Sequence, residues 1–466
     1  MQKLLSLVLG CLIVNTSFAT ESTKPNIVYI MADELAYFEP GFMGGKELHT
    51  PSMDRLAKSG IIMKNILSGG PNCAPARATL LTGKHCGHSS VRGNSGDNSI
   101  RTDEKTIAEI LKPQGYAVGG FGKWGIGSRD STGVPEKHGF DVFFGYLDQV
   151  HAHTYYPPYL IRNSEEFPLA GNKGGAKGTT YSQYVIHDAA LKFIREQASK
   201  GPFFAYLPYT PPHGPFAIPD EDPANEVYKD KPWSKEQKTF ASMTTMLDRQ
   251  IGDVLTLLKE LDIEKNTLVF FSGDNGSQDR FADKSHPRGY FSGNKDPNGT
   301  MEFRGTKGGP YEGSVRVSFA VSWPGKIEPG RVSEHVGYFP DVLPTIAQAA
   351  GGSLPTDIDG ISFLSELIGE TASGNKQQQH DYLYWEHGNW VAIRQGDWRA
   401  VHPGKKDWEL YNLKSDPSES KDVAADHPEI LNKLSALAKQ AHEPMLAGTY
   451  TTRERADRDR RPGESK

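Results

Sequence analysis

The chain has 466 residues, of which 37% are hydrophobic and 23% charged, and its formal net charge is −5. This length suffices for one large domain with a smaller companion, and it excludes a short scaffold held by disulfides. The mildly negative balance excludes a generally basic surface, so nucleic acid is not an expected partner. An anionic ligand would have to be bound by a few placed cations.

The first residues have the pattern of a secretory signal peptide. Lys3 precedes an apolar run over residues 4–14, and Ser-Phe-Ala at 17–19 predicts cleavage after residue 19. The run is too short for a hydrocarbon core of about 30 Å, so no stable membrane span is expected. Cys11 is an alternative lipoprotein site, but its position inside the apolar run argues against it. We therefore expect an exported protein, periplasmic or extracellular.

Several short apolar runs along the chain end abruptly in polar residues. The polar residues at these ends are Asp33, Glu34, Lys123, His213, Asp274 and Asn275. Helical patterns lie between the runs, over residues 102–115, 181–200 and 234–261, and the last opens with the capping box SKEQ. This alternation predicts an α/β fold, with a large, mostly parallel sheet sandwiched by helices.

In such a sheet the loops at the carboxyl ends of the strands converge on one crevice, so these polar residues should meet. Oxygen donors without clustered histidine or thiolate favour a hard divalent cation, Ca²⁺ or Mg²⁺, over zinc. Arg77, Lys123 and Lys307 add positive charge. A metal with surrounding cations suits a doubly charged tetrahedral anion, which predicts hydrolysis of a sulfate or phosphate ester.

The pattern changes after about residue 370. A polar stretch is followed by short alternating aromatic and apolar segments, which predict an antiparallel sheet, and residues 428–445 predict a closing helix. We divide the chain into a signal peptide (1–19), a catalytic α/β domain (20–370), a smaller C-terminal α+β subdomain (371–450) and a polar tail (451–466). The tail has almost nothing to bury, so we expect it to be disordered or bound to the surface.

The stretch CAPARATLLTGKH, from Cys73 to His85, resembles the signature of the type I sulfatases, an arylsulfatase-like family of the alkaline phosphatase superfamily. Further motifs of that family stand in the right order along the chain. They are PNIVYIMADE (first metal strand), GKWGIG (lysine loop), TPPHGPF (histidine loop), SGDNG (second metal strand), GTKGGPYEGSVRV (second lysine) and ELYNLKSDPSE (small C-terminal domain). Several ordered motifs argue against a chance match, as one short motif would not.

The resemblance implies a role for Cys73. In this family a maturation enzyme oxidises the cysteine to formylglycine (3-oxoalanine), and the hydrated aldehyde attacks sulfur with one oxygen and later expels sulfate through the other. Pro75 and Arg77 would guide maturation, and Arg77 would also hold the diol. Without the resemblance, an isolated cysteine would be interpreted as a small buried hydrophobe.

The resemblance also implies ligands for metal and sulfate. The implied ligands of one Ca²⁺ per chain are Asp33, Glu34, Asp274, Asn275 and the modified Cys73. Glu34 stands where the family usually has a second Asp, so it either binds the metal directly or lies just outside its ligands. Lys123 and Lys307 would contact the sulfate oxygens, and His213 would donate a proton to the leaving alcohol.

One position departs from the family pattern. The family commonly has a histidine two residues after the first lysine, which helps to hold the diol and accept its proton, whereas this chain has Gly125. His151 and His153 are candidates to replace it or to bind substrate, since alternating residues of an extended segment share a face. We favour substrate binding, with the nearby tyrosines Tyr155, Tyr156 and Tyr159 stacking on sugar rings. Packing of this loop against the core is the alternative.

The sequence thus favours an exported sulfatase that acts on a sulfated polysaccharide or glycan fragment. A phosphate or phosphonate ester hydrolase of the same superfamily is the first alternative, although such enzymes typically use Thr or Ser with two zinc ions. A non-catalytic sulfoglycan-binding homologue is the second, because Gly125 replaces a catalytic histidine.

Overall fold

The computed structural model describes residues 24–95, 99–278, 291 and 293–462. The predicted signal peptide and Cys11 lie outside these residues. Within them, no helix has both the length and the apolar character needed to cross a membrane.

In the described part of the chain, ten strands form one large sheet in the order β10-β2-β9-β8-β1-β7-β3-β4-β5-β6. The strands are β1 (Asn26–Ala32), β2 (Ile61–Leu67), β3 (Ala117–Lys123), β4 (Val142–Tyr146), β5 (Tyr159–Arg162), β6 (Glu165–Pro168), β7 (Phe203–Tyr209), β8 (Thr267–Gly273), β9 (Phe319–Ser322) and β10 (Arg331–Tyr338). Among these strands, β9 and β5 run antiparallel to both neighbours, while β8, β1, β7, β3 and β4 form a parallel core. The predicted mostly parallel sheet is confirmed.

The described helices pack against the two faces of this sheet or lie in the C-terminal part of the chain. They are α1 (Pro51–Lys58), α2 (Cys73–Thr82), α3 (Ile107–Leu111), α4 (Ser182–Gln197), α5 (Ala224–Tyr228), α6 (Lys235–Glu260), α7 (Val342–Ala350), α8 (Leu364–Ile368), α9 (Glu370–Ser373), α10 (Pro428–Gln440) and α11 (Glu454–Arg460). Helix α6 begins after the predicted capping box, in which Ser234 and Gln237 each bond the other's backbone N–H. The helix predicted over 102–115 is shorter, because a second capping box, between Thr106 and Glu109, starts it late and a 3₁₀ turn over Lys112–Gln114 ends it early.

Side-chain alternation along β1 explains the two layers of core. All seven residues of β1 are buried. Ile27 and Met31 lie in a cluster with apolar residues of α2, α3 and α7, whereas Val28 and Ile30 lie in a cluster with those of α1, α4 and α6. Since successive residues of a strand point to opposite faces, a strand covered on both sides must be apolar throughout.

The C-terminal region forms a separate antiparallel sheet, as predicted. Its strands are β11 (Leu383–His387), β12 (Trp390–Gln395), β13 (Trp398–His402) and β14 (Glu409–Asn412), and α10 packs against them. A buried ion pair between Arg399 and Glu312 joins this sheet to the large domain. Burial raises the pKa of Glu312, but Arg316 and Arg399 outweigh that effect and bring it to about 2.

The polar tail is bound to the large domain through α11. Asp459 is fully buried and accepts hydrogen bonds from Arg129 Nε (2.6 Å) and Tyr159 Oη (2.8 Å). Arg460 lies 3.4 Å from Asp148. We call α11 with these contacts the C-terminal clamp. The premise that the tail has almost nothing to bury is wrong, because this strongly charged segment contains a fully buried carboxylate, that of Asp459.

Candidate active site

The carboxyl ends of the parallel strands bring the predicted polar residues to one place. These residues are Asp33 and Glu34 after β1, Lys123 at the end of β3, His213 after β7, Asp274 and Asn275 after β8, and Cys73 at the start of α2. Potential ligand atoms of Asp33, Cys73 and His213 all lie within 4.8 Å of one another. The sulfur of Cys73 lies 3.4 Å from Asp33 Oδ1 and 2.9 Å from Lys307 Nζ.

Cys73 is fully buried and forms no disulfide with another described residue. Burial, with a further contribution from Asp33, raises the pKa of its thiol to about 12. The thiol is therefore neutral at pH 7 and a poor nucleophile. Cys86, the other cysteine in the described ranges, is also buried and free, and its thiol donates to the Gly69 carbonyl at 2.9 Å.

Buried cations pair with two of the carboxylates. Lys123 Nζ lies 2.5 Å from Asp33 Oδ2, and Arg77 Nη2 lies 3.1 Å from Asp274 Oδ2. Burial opposes ionisation of Asp33, yet Lys123, His213 and Arg77 hold its pKa well below the usual range. For Asp274 the balance is reversed, because burial and the adjacent Asp33 raise its pKa. An additional cation would relieve this crowding of negative charge.

The oxygen donors fit a hard divalent cation. The side-chain oxygen of Asn275 is buried and has no hydrogen-bond partner within the described ranges, while its nitrogen donates to the Gly276 carbonyl at 3.0 Å. An orphaned buried oxygen is unfavourable unless something else binds it. Beside the crowded carboxylates of Asp33 and Asp274, it completes a donor set that Ca²⁺ prefers.

Glu34 has an unusual backbone and two basic neighbours. Its φ of 62° lies in the left-handed region, and its N–H donates to Asp274 Oδ1 at 3.0 Å. Its carboxylate lies 3.1 Å from His213 Nε2 and also pairs with Lys307. Burial lowers the pKa of Lys307, but Cys73 and Glu34 outweigh this effect and raise it above its ordinary value, which keeps this ammonium charged.

Of the two candidate histidines, His153 lies at the site and His151 does not. The His153 ring stacks on His213 with centroids 4.0 Å apart and planes 10° apart, and its Nε2 lies 3.4 Å from Lys123 Nζ. His151 is fully buried, with Nε2 3.0 Å from the Tyr159 carbonyl. The expected extended segment is wrong, because residues 151–153 form a 3₁₀ turn, which directs residues two apart to different sides.

The tyrosines that follow are packing residues. Tyr155 and Tyr156 are only 1% and 6% exposed. Tyr155 Oη donates to the His213 carbonyl at 2.7 Å, and Tyr159 Oη bonds the clamp. The expectation that they stack on sugar rings is wrong for the two buried tyrosines, and the alternative of loop packing against the core is confirmed for them.

Gln149 was not predicted as a site residue. Gly125 has a φ of 79°, and a Cβ placed there would lie 1.8 Å from Gln149 Nε2. The same nitrogen lies 3.2 Å from the Gly125 carbonyl oxygen. The glycine at position 125 was the signal in the sequence. A protein interior is close-packed, so the volume that a side chain would occupy there must be filled by another residue.

The C-terminal sheet also touches residues beside the site, which sequence analysis did not predict. His387 Nε2 lies 3.2 Å from Asn72 Nδ2, next to Cys73, and Trp390 Nε1 donates to the Gly308 carbonyl at 3.0 Å, next to Lys307. No local motif marks these contacts, because the partners are far apart in the chain.

Buried carboxylates, fixed cations and a buried cysteine at the strand ends of such a sheet form the kind of site that an enzyme acting on an anionic ester needs. The chain belongs to the sulfatase family: the profile described as Sulfatase matches residues 25–353. A second profile, described as N-sulphoglucosamine sulphohydrolase, C-terminal, matches residues 307–444.

Individual relatives agree with this assignment. Human N-acetylgalactosamine-6-sulfatase is 28% identical, with 91% of this chain and 86% of the relative covered. The N-acetylgalactosamine-6-O-sulfatase of Bacteroides thetaiotaomicron is 27% identical, with 89% and 93% covered. The crystal structure of Ps i-CgsB in complex with k-i-k-neocarrahexaose has a TM-score of 0.75 and 26% identity, with 94% and 98% covered. The phosphonate monoester hydrolase of Agrobacterium radiobacter, at 19% identity and a TM-score of 0.63 with 92% and 100% covered, shares the fold alone.

Proposed function

We propose that this chain is an exported sulfatase that hydrolyses sulfate esters on a sulfated polysaccharide or glycan fragment. Two relatives named for N-acetylgalactosamine sulfate and a related structure that holds a neocarrahexaose support the glycan assignment. One observation carries the proposal. Cys73 Sγ lies 2.9 Å from Lys307 Nζ and 3.4 Å from Asp33 Oδ1, so a reactive group at this position would face both a cation and a carboxylate.

The charge balance of the site supports an anionic substrate. The carboxylates are Asp33, Glu34 and Asp274, and the facing cations are Arg77, Lys123 and Lys307. Their formal charges cancel. Ca²⁺, held by Asp33, Asp274, Asn275 and the modified Cys73, with Glu34 either a further ligand or just outside the ligands, would add the positive charge that stabilises sulfate oxygens in the reaction.

The nucleophile requires a change at Cys73. The unmodified thiol is neutral because burial raises its pKa to about 12. Formylglycine, made from Cys73 by a formylglycine-generating maturation enzyme, would supply a hydrated aldehyde as the attacking group. Arg77 fixes two residues beside this group. Its Nη1 donates to the Lys123 carbonyl at 2.6 Å, and its Nη2 pairs with the Asp274 carboxylate.

His213 would donate the proton that the leaving alcohol needs. One ring nitrogen faces the Gly214 carbonyl and the other lies 3.1 Å from the Glu34 carboxylate. Both neighbours are acceptors, so they suit the doubly protonated ring, which is the form that can act as an acid.

Lys123 and Lys307 would bind the sulfate oxygens. Each ammonium has three N–H donors. Those of Lys123 face Asp33 at 2.5 Å and His153 at 3.4 Å, and those of Lys307 face Glu34 and Cys73. Each lysine therefore has a donor in addition to these two contacts with which to bind an anion.

Export rests on the sequence of the first residues. The signal-peptide pattern over residues 1–19 supports a periplasmic or extracellular location, with lipoprotein anchoring at Cys11 the less favoured alternative.

Ion chromatography of released sulfate and phosphate tests the proposal. The panel contains N-acetylgalactosamine-6-sulfate glycans, carrageenan oligosaccharides, and matched phosphate and phosphonate esters. The protein is co-expressed with a formylglycine-generating enzyme, and mass spectrometry of the Cys73 peptide verifies conversion. Cys73→Ala is the test variant, and Cys86→Ala, which removes an equally buried free thiol, is the matched control.

We expect sulfate release that Cys73→Ala abolishes and Cys86→Ala retains. Release of phosphate or phosphonate products in place of sulfate would replace the proposal with the superfamily alternative. Binding of sulfated glycans without turnover by converted protein would replace it with the non-catalytic alternative.

A further inference from the structure

The volume that a side chain at position 125 would fill, two residues after Lys123, is occupied by Gln149. Position 125 has no side chain, and its left-handed backbone places any Cβ 1.8 Å from Gln149 Nε2. Gln149 lies in the loop between β4 and β5, and the same loop delivers His153 to the site. One loop therefore fills the volume at position 125 and supplies an imidazole.

The contacts of His153 connect two groups that the proposed reaction needs. Its Nε2 lies 3.4 Å from Lys123 Nζ, a geometry in which the ammonium donates and the imidazole accepts. Its face lies against His213, with centroids 4.0 Å apart and planes nearly parallel. A neutral ring can accept from the Lys123 ammonium while its face lies against His213, and burial, together with His213 and Lys123, lowers the pKa of His153.

We propose that His153 is a positioning residue that holds the Lys123 ammonium and the His213 ring together, as a replacement for a side chain at position 125. The inference rests on the proposed function, in which Lys123 binds sulfate and His213 protonates the leaving alcohol. His153 acts through these two residues, because its Nε2 faces the Lys123 ammonium and its ring stacks on His213.

The loop that carries His153 is fixed by hydrogen bonds within the loop and by an ion pair with the C-terminal clamp. Asp148 Oδ1 accepts from the Val150 N–H at 2.7 Å, and the Asp148 carbonyl accepts from the Ala152 N–H at 3.2 Å. Arg460 of the clamp lies 3.4 Å from the same carboxylate. A positioning residue needs a fixed backbone, and these bonds provide one.

Two substitutions separate the contacts of His153. His153→Phe retains an aromatic face for His213 and removes the acceptor for Lys123. His153→Gln retains an acceptor and removes the aromatic face. Thr154→Ala is the control for general disturbance of the loop, since the Thr154 hydroxyl bonds the Gly175 backbone. Thermal unfolding of each variant verifies that it is folded.

Each variant is assayed on a sugar sulfate and on 4-nitrophenyl sulfate. We expect His153→Gln to lower kcat on the sugar sulfate by about tenfold or more and to affect the aryl sulfate little, because a phenolate leaves without help from an acid. We expect His153→Phe to raise KM on both substrates by about tenfold, the effect of one hydrogen bond to a charged group. Thr154→Ala should match the parent protein.

A binding measurement is independent of turnover. Calorimetry measures the affinity of inorganic sulfate for the unconverted Cys73 protein in the presence of Ca²⁺. We expect His153→Phe to weaken it about tenfold and His153→Gln to leave it within about twofold, since Lys123 is disturbed in the former alone.

The inference is overturned if both variants match the parent in kcat, KM and sulfate affinity. It is also overturned if both lose activity equally on the two substrates, since a general loop defect would produce that result. If the converted parent protein releases no sulfate at all, the proposed function fails, and the sulfate affinities of the two variants still decide whether His153 positions Lys123.

Discussion

Replacing Asp459 of the C-terminal clamp by alanine is expected to destabilise the protein by about 3 kcal/mol. The Arg129 side chain is 2% exposed and that of Asp459 is 0% exposed. Removing one partner of a buried ion pair leaves an uncompensated charge, which costs about 3–5 kcal/mol. The lower end applies here, because Glu166 remains 3.0 Å from Arg129.

The loss of stability comes from the Arg129 charge that Asp459→Ala leaves buried without this partner. The attraction between the two side chains is not its main source. Burial raises the pKa of Asp459 even though Arg129 opposes that shift, whereas Asp459 and Glu166 outweigh burial and raise the pKa of Arg129. Replacing both partners of a buried ion pair by apolar side chains costs less than removing one partner, because no buried charge is left unpaired. The double variant Arg129→Met/Asp459→Ala should therefore regain part of the stability that Asp459→Ala loses.

Urea unfolding, followed by tryptophan fluorescence, measures these differences. The matched control is Asp457→Ala on the same helix, because Asp457 is 50% exposed and its ion pair with Arg453, at 3.5 Å, is worth about 0.5 kcal/mol or less. A change for Asp459→Ala that lies within about 1 kcal/mol of the control would refute the reasoning.

Three further results are expected. Gly125→Ala should lower both sulfatase activity and the melting temperature, because its Cβ would lie 1.8 Å from Gln149 Nε2 and its φ is 79°; Gly125→Ala/Gln149→Gly should recover activity if the clash is the cause. Ser234→Ala should lower the free energy of unfolding by about 1 kcal/mol in urea titrations, whereas Ser234→Gly should lower it by a few tenths. EDTA should abolish sulfate release, and Ca²⁺ should restore it; turnover that resists EDTA, in protein shown to be metal-free, would contradict the assigned role of Asn275 and its neighbours.

The convergence of polar strand ends was predictable because parallel strands of one sheet end at a common edge. Asp33, Lys123 and Asp274 needed no knowledge of side-chain packing to be placed together. The two histidines after β4 were not predictable in the same way. Their spacing fits an extended segment as well as the 3₁₀ turn that forms, and only the turn separates His151 from His153.

Long-range contacts were beyond the reach of local patterns. The buried Asp459 lies in a strongly charged segment whose composition is typical of a solvated tail. Its partner, Arg129, lies 330 residues earlier, and no spacing rule connects them. The same distance in sequence hides the contacts of His387 and Trp390 with the loops beside Cys73 and Lys307.

The complete burial of Cys73 implies that its modification must precede folding during biosynthesis. On the proposed function another enzyme must oxidise this side chain, yet the folded chain leaves none of it exposed. Modification therefore competes in time with folding, and a molecule that folds first retains its thiol. Unconverted protein that has folded should resist later conversion, and unfolding should make Cys73 accessible again.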